Sequence, residues 1–421
     1  MKAITCIIVG AGARGKDAYA QYIVKHPDKI KIVGVAEPNK EKRNGLRDMC
    51  CISEDMCFES YTELFKKPKL ADCVLICTQD EDHVQPTLMA MEKEYHIFLE
   101  KPVSTNMNDI LEIEKHAKAY HKLFMAGYVL RYTPFFMKMK ELIDTGEIGK
   151  IISIQHNENE GFWHHAHSYV RGPWNNSETS SPYILAKSCH DIDLILYLTG
   201  ADCTSVSSYG GNTYFNKGNA PEGCAKRCTD DCKYADTCKY NAITSYSNGE
   251  SRYFLHILGC EGSKDALKEV LKTSPFGRCV YYCDNNVPDH QVVNMEMNDG
   301  STVVFTVSAF TKNNSRTIKI MGTEGEIGGC LEEGIIILRK FSGDDKKYMI
   351  TCDDTKHCGG DSAIINELID RINEKRFGFD ETIINSHVIA FASEASRIER
   401  RMVEVKKYKE LNKISGGKYN D

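Results

Sequence analysis

Short apolar runs alternate with polar, helix-forming stretches through the first part of the chain. The runs fall at residues 3–9, 30–36, 72–77, 96–99 and 122–126, with helical patterns from about 84 and over 108–120. Strand and helix taking turns predicts an α/β unit with a doubly wound parallel sheet, expected over residues 1–127, whose ligands lie at the carboxyl ends of its strands. Beyond it the period changes. A helix is expected from Pro134 to about Thr145, stopped by Gly146, followed by a strand over 150–154. Period-two or apolar runs then recur at 291–297, 301–309, 317–321 and 334–338, most of them separated by Gly, Asn or Asp turns. These predict a second, α+β domain over 128–405 with a large, mostly antiparallel open-faced sheet, closed by helices at 362–373 and about 381–404. The polar tail 406–421 is expected to fray.

The turn Gly10-Ala11-Gly12-Ala13-Arg14-Gly15 follows the first run, and Glu37 ends the second. A carboxylate about twenty residues after such a turn is the spacing of a dinucleotide-binding site. Gly10 permits the tight turn, Gly12 leaves room for a pyrophosphate, and Gly15 lets the next helix pack closely on the sheet. The helix N-terminus, from Ala13 and Arg14 onwards, offers unpaired N–H groups to the phosphates. Glu37 suits the ribose hydroxyls of NAD and repels a 2'-phosphate, while Lys42 and Arg43 keep NADP open.

At 421 residues the chain accommodates two domains, each able to bury a core. A net charge of -6 with both signs mixed along the chain argues against nucleic-acid and membrane partners and for a small-molecule ligand. Met1-Lys2-Ala3-Ile4 runs into the first strand without a signal-like segment, so cytoplasmic residence is the expectation. The eighteen cysteines are accordingly read as reduced thiols, a few of them metal ligands.

Glu100-Lys101-Pro102 lies at the carboxyl end of the expected strand 96–99, where a side chain faces the nicotinamide end of a bound dinucleotide. A lysine there can hold a substrate hydroxyl or take part in proton transfer, and Pro102 fixes Lys101 in extended backbone. With these features the chain resembles the oxidoreductases grouped as Gfo/Idh/MocA. The resemblance extends over Cys77-Thr78-Gln79-Asp80 with His83, Arg131-Tyr132, Gly146-Glu147-Ile148-Gly149, His190-Asp191-Ile192-Asp193, Gly322-Thr323-Glu324-Gly325 and Ser386-His387 to Arg397. It implies a Rossmann domain joined to an open-faced sheet domain, and oxidation of a ring hydroxyl of a sugar or cyclitol with NAD(P). The motif lysine and a histidine of the second domain carry that chemistry, and Thr78, His83 and Glu100 join the cofactor site.

Ser181-Pro182 reads as the start of a helix and Gly200 as its stop, so Tyr183, Lys187 and His190 share one face. The family pattern has an Asp four residues before the histidine; here that position is Ala186, and Lys187 is the nearest polar substitute. His190 is expected to be the general base, with Lys101 and Lys187 holding substrate oxygens. Substrate recognition is assigned to Arg131, Tyr183 and the cluster His165, His167, Arg171 and Trp174. In an extended segment His165 and His167 point the same way, which also allows a metal, but ring hydrogen bonds and an aromatic face suit a polyhydroxylated ligand better. Cys189 is either a reactive thiol or a buried inert one.

Cys224, Cys228, Cys232 and Cys238 lie in a polar stretch, about 220–242, that cannot build its own core. A structural zinc would order it, although iron–sulfur ligation or two disulfides also fit this spacing. The leading expectation is an NAD(P)-dependent dehydrogenase of a carbohydrate or cyclitol. A redox-neutral glycosidase or lyase with retained NAD is the alternative, and a non-catalytic NAD and sugar sensor the third reading. An open antiparallel sheet face predicts a homodimer or homotetramer.

Overall fold

The computed structural model describes residues 2–260, 263–351 and 357–415. Six parallel strands form the first sheet: β1 (Ile4–Val9), β2 (Ile30–Ala36), β3 (Cys57–Phe58), β4 (Cys73–Ile76), β5 (His96–Leu99) and β6 (Phe124–Ala126). Their order, β3-β2-β1-β4-β5-β6, reverses direction between β1 and β4. A crevice opens at such a switch point beyond the strand ends. Cys6, Ile7 and Ile8 are fully buried because helices cover both faces of the sheet, which explains why its strands are continuous apolar runs. Gly10 adopts φ +96°, where a Cβ would run into the Cys77 carbonyl, and a Cβ on Gly15 would run into the carbonyl of Gly10. Both glycines are therefore required by the fold itself.

Nine strands form the second sheet: β7 (Ile151–Gly161), β8 (Cys203–Gly211), β9 (His290–Met297), β10 (Thr302–Thr311), β11 (Ser315–Gly322), β12 (Gly325–Cys330), β13 (Ile335–Lys340), β14 (Lys346–Met349) and β15 (Val403–Glu404). The order is β14-β13-β12-β11-β7-β10-β9-β8-β15, antiparallel except where β7 meets β10. Helices Tyr183–Thr199 and Thr382–Glu399 pack against each other and cover one face of this sheet. On the other face Val304 and Tyr209 stand exposed. Strand alternation turns His156, Glu158 and Glu160 of β7 inwards, all buried beneath the helix Tyr183–Thr199.

That helix stops at Gly200, in the left-handed region at φ 65°, as its sequence predicts. Its start differs: Pro182 takes the cap position and no side chain caps the helix, so Ser181 does not serve as one. The stretch expected to fray is helical over Val405–Ser415, with Lys409 bonded to the buried Glu114 at 2.9 Å; residues 416–421 lie outside the described residues.

Ion pairs and imidazoles join the two halves. Arg131 donates from Nε to Asp193 at 2.6 Å and from Nη1 to Asp380 at 2.7 Å, and also reaches Thr382. Asp193 is buried and Arg131 nearly so. Arg131, expected at the substrate, is instead consumed by this network, because the helix carrying His190 presents Asp193 to it. His387, on Thr382–Glu399, accepts the Val103 N–H at Nε2 (2.8 Å) while its Nδ1 lies 2.7 Å from the Ile383 carbonyl. It is therefore the neutral Nδ1–H tautomer. In the first domain, Nδ1 of His96 similarly accepts the Leu123 N–H at 3.1 Å.

Two outcomes are expected. Arg131→Leu should lower the unfolding free energy by about 3–5 kcal/mol in urea melts, since Asp193 is left buried and unpaired, and adding Asp193→Leu should recover most of that loss. The second concerns acid. Burial, with neighbouring positive charge, pulls His96 and His387 down to about 4. The unfolded imidazoles titrate near ~6.5, so the unfolded chain binds more protons between the two values. The stability these groups contribute is complete above about 6.5 and is lost as pH falls towards about 4. Asp193, pushed up to about 6 by burial, and Glu332, also raised by burial, oppose this, while His164, brought down to about 4 by burial, adds to it. Scanning calorimetry should record a lower Tm at pH 5 than at pH 7, and an unchanged Tm would contradict the assignment.

Candidate active site

The glycine turn and the Glu100-Lys101-Pro102 loop meet at the crevice. A Cβ on Gly12 would meet nothing within 4 Å, so this is the open side of the turn and fits an approaching pyrophosphate. Glu37 is buried and accepts the N–H groups of Ala11 (2.8 Å) and Asn39 (2.9 Å). Each oxygen keeps a lone pair for a ribose hydroxyl. Arg43 is turned to the Glu37 and Pro38 carbonyls and to Glu59, away from a role as a 2'-phosphate clamp.

Arg14 does not present itself to phosphates. Its Nε donates to Glu100 at 2.7 Å and its Nη2 to Asp361 at 2.8 Å, and it also bonds Tyr19. The cause is the helix Gly360–Asn373, whose first turn brings Asp361 against the turn. Glu100 is closed off the same way: Tyr19, Arg14 and the Lys101 N–H hold it, and although burial raises its pKa, Arg14 brings it below the usual value. The His83 ring lies between the Pro102 carbonyl (Nδ1, 2.6 Å) and the Thr78 carbonyl (Nε2, 3.3 Å), and the Thr78 hydroxyl donates to Asp82. His83 and Thr78 thus shape the loops, with their side chains engaged locally.

His190 is buried, and its Nδ1 has no hydrogen-bond partner among the described residues. Burial first, then the charge of Lys101, followed by His357, Arg316 and Arg14, drives its pKa well below the ordinary imidazole value. Lys101 therefore lies near enough to His190 for its charge to act on the ring. Tyr128 packs edge-on against His190 with ring centroids 6.0 Å apart, and Tyr128 is itself bonded to Ser386 at 2.8 Å. Burial pushes the neighbouring Cys189 thiol up to about 12, so the inert reading applies.

The carboxylates that meet Lys187 come from β7. Glu158 pairs with Lys187 at 2.8 Å and with Arg316 at 2.7 Å, and Arg316 continues to Asp191 (2.9 Å), which bonds His156 (2.8 Å). Glu160 accepts from Tyr183 (2.7 Å) and contacts His165 Nδ1 (2.8 Å). Burial opposes its charge, but Lys187 and the histidines hold it at about 2. Lys187 is thus bound into a carboxylate network instead of standing free for a substrate oxygen. Sequence reasoning missed Glu158, Glu160 and Arg316; the alternation His156-x-Glu158-x-Glu160 in a strand is the signal that pointed to one shared face.

The histidine cluster is not extended. Phe162–His165 is α-helical and Ala166–Arg171 a π-helical continuation, so His165 and His167 diverge. His167 is clamped between Phe254 and Phe276, at 3.9 and 4.5 Å between centroids, and bonds Tyr246 at 2.6 Å. Arg171 is buried and donates to the carbonyls of Arg278 (2.7 Å) and Tyr240 (2.6 Å). Both side chains are thus engaged within the protein. Trp174 lies at the domain junction, its Nε1 donating to Asp80 at 3.1 Å beside Tyr169.

The four cysteines of the insertion are free thiols, and among the described residues no group of three or more His, Cys, Asp or Glu side chains is arranged to hold a metal ion. This arrangement gives the zinc expectation no support. Arg171 reaches the Cys228 sulfur at 3.7 Å, Arg227 binds the Leu271 carbonyl at 2.6 Å, and a core of Ala242, Tyr246, Phe254, Leu267, Leu271 and Phe276 orders the segment. The reduced state holds for sixteen described cysteines, whereas Cys358 is disulfide-bonded. No helix among the described residues is long and apolar enough to cross a membrane.

Comparison with known proteins matches this architecture. Residues 4–128 match the oxidoreductase family with an NAD-binding Rossmann fold, and residues 140–352 its C-terminal alpha/beta domain. The chain is 29% identical over 205 residues to 2,7-anhydro-N-acetylneuraminate hydratase of Escherichia coli (49% of this chain, 52% of the relative). It is 26% identical over 211 residues to scyllo-inositol 2-dehydrogenase (NAD(+)) of Bacillus subtilis (49% of this chain, 57% of the relative). The chain thus spans little more than half the length of these curated relatives. A levoglucosan dehydrogenase solved with NADH and L-sorbose shares the fold at TM-score 0.70 and 17% identity, covering 96% of this chain and 99% of that one. With both domains matched in order along the chain, this protein belongs to the Gfo/Idh/MocA oxidoreductase family.

Proposed function

We propose that this protein is an NAD-dependent dehydrogenase of a ring hydroxyl in a sugar, sugar derivative or cyclitol. The observation that carries the reading is the buried His190, its Nδ1 unpartnered and the Lys101 charge acting on it, in a chain whose glycine turn is open at Gly12. Residues 1–127 are read as the cofactor domain and 128–405 as the substrate domain. Glu37 holding the ribose, with Arg43 engaged elsewhere, favours NAD over NADP. Bound NAD+ supplies the hydride acceptor.

The chain's own residues do the rest. His190 is kept neutral by burial and by Lys101, so Nδ1 or Nε2 can accept the substrate hydroxyl proton. Lys101 holds the same oxygen and stabilises the developing alkoxide. Lys187, Glu158 and Glu160 form a buried charged layer beneath the helix that carries His190. The exposed sheet face bearing Val304 and Tyr209 is assigned to a second copy of the chain.

A second reading is favoured by one observation. The relationship to a hydratase, together with the buried Glu160–His165 pair next to Lys187, supports a redox-neutral elimination or hydration in which retained NAD oxidises the sugar transiently. A panel of sugars, inositols and anhydro-sugars, followed by both NADH absorbance and product release, separates the two. NADH accumulation carries the first reading, and product without NADH the second.

Two substitutions give measurable outcomes. His190→Ala should lower kcat by about 10²–10⁴-fold, the range for a removed general base, with NADH affinity retained by fluorescence titration; full turnover would remove His190 from the mechanism. Gly12→Ala should leave Tm near the parent value while weakening NADH binding, whereas Gly15→Ala should lower Tm through its clash with Gly10.

A further inference from the structure

His190 is a poor place to leave a proton. It is buried, its Nδ1 is unpartnered, and Lys101, Arg316 and Arg14 all disfavour the imidazolium. Oxidation of an alcohol by NAD+ yields ketone, NADH and one proton, so the proton must leave this ring for each turnover.

A second histidine stands beside it. The rings of His190 and His357 are 6.3 Å apart between centroids, tilted by 46°. One water with hydrogen bonds of about 2.8 Å to each ring spans that gap. His357 Nδ1 lies 3.0 and 3.1 Å from the two carboxylate oxygens of Asp361, one turn along the chain. This is the carboxylate-oriented imidazole that Ala186 denies to His190, with Nδ1–H towards Asp361 and Nε2 left for a proton. The His357 side chain is 27% exposed against 10% for Asp361, which gives it a route to solvent. The groups facing it are Asp361 from its own segment, Arg14 from the glycine turn (3.5 Å from Nδ1), His190 from the helix Tyr183–Thr199 and Arg316 from β11.

We infer that His357, oriented by Asp361, takes the substrate-derived proton from His190 through one water and releases it to solvent. The inference rests on the dehydrogenase reading. The hydroxyl O–H bond breaks to His190, the same proton passes to Nε2 of His357 and then to bulk water, and both rings end neutral. Asp361 acts as a positioning residue.

Parent, His357→Gln and Asp361→Asn proteins are to be compared with whichever polyol the panel identifies. Glutamine keeps a donor for Asp361 but carries no proton. His357→Gln should lower kcat about 10–100-fold, with KM and NADH affinity changing less than about 2-fold, and added imidazole should restore part of the loss. In the cofactor-free Asp361→Asn protein the His357 ring resonances should titrate at lower pH, and the acid limb of kcat should move in the same direction. Unchanged kcat in His357→Gln overturns the inference, as does a loss that imidazole leaves untouched and that parallels weaker NADH binding. A parent protein that binds NADH yet oxidises nothing in the panel overturns the dehydrogenase reading and the relay with it; an active parent with an unimpaired His357→Gln overturns the relay alone.

Discussion

The backbone after Lys101 is hydrogen-bonded from both domains, and the site depends on that clamp. His83, from the first domain, reaches the Pro102 carbonyl, and His387, from the last long helix, accepts the Val103 N–H. A flexible amine on a four-carbon stem is otherwise free to sample solvent at a cost in rotamer entropy when ordered. Holding both polar groups of the Pro102–Val103 peptide fixes the point from which that stem departs. Tyr128 extends the same clamp, touching His387 through its hydroxyl at 3.0 Å and His190 through its ring. Lys101 and His190 are thus referenced to one rigid set of groups, although they come from different sheets.

Beneath them lies a layer of buried charge. Glu158, Glu160 and Asp191 face Lys187 and Arg316, with His156 and His165 at the ends. Removing so many ions from water costs several kcal/mol each before pairing offsets it, and a well-packed apolar layer is often as stable or more so. Such a network between β7 and the helix Tyr183–Thr199 is explained better by the chemistry above it than by stability. It also accounts for Ala186: with carboxylates already delivered by the strand, another on that helix would place like charges together.

What the sequence pattern makes legible is whatever is local. The glycine turn, the apolar parallel strands, the period-two strands β9, β10 and β11 and the stop at Gly200 each express a constraint acting within a few residues, and each is observed. Short or weakly patterned strands escaped, among them β12 with its Gly328-Gly329 pair and β14 with its lysines. Site residues failed in a different way. Arg14, Arg131, Arg171 and His167 have the right chemistry for a ligand, but each is consumed by a partner distant in sequence: Asp361, Asp193, Tyr240 and Tyr246 respectively. Nothing local distinguishes a guanidinium that meets a sugar from one that meets a carbonyl. His165 and His167 were read on a strand's period and obey a helix's, which reverses the conclusion about where they point.

The insertion is likewise ordered by packing from later in the chain. Its thiols suggested a metal because the stretch around them is too polar to form a core alone. The missing apolar partners arrive from later in the chain: Tyr246, Phe254, Leu271 and Phe276 close around His167, and Arg171 threads between the Tyr240 and Arg278 carbonyls. A buried guanidinium satisfied by main-chain carbonyls orders two loops at once, as a metal would, without needing deprotonated ligands. Because Arg171 and His167 follow His165 in one continuous helical segment, the segment that organises the insertion also holds Glu160 of the buried charged layer.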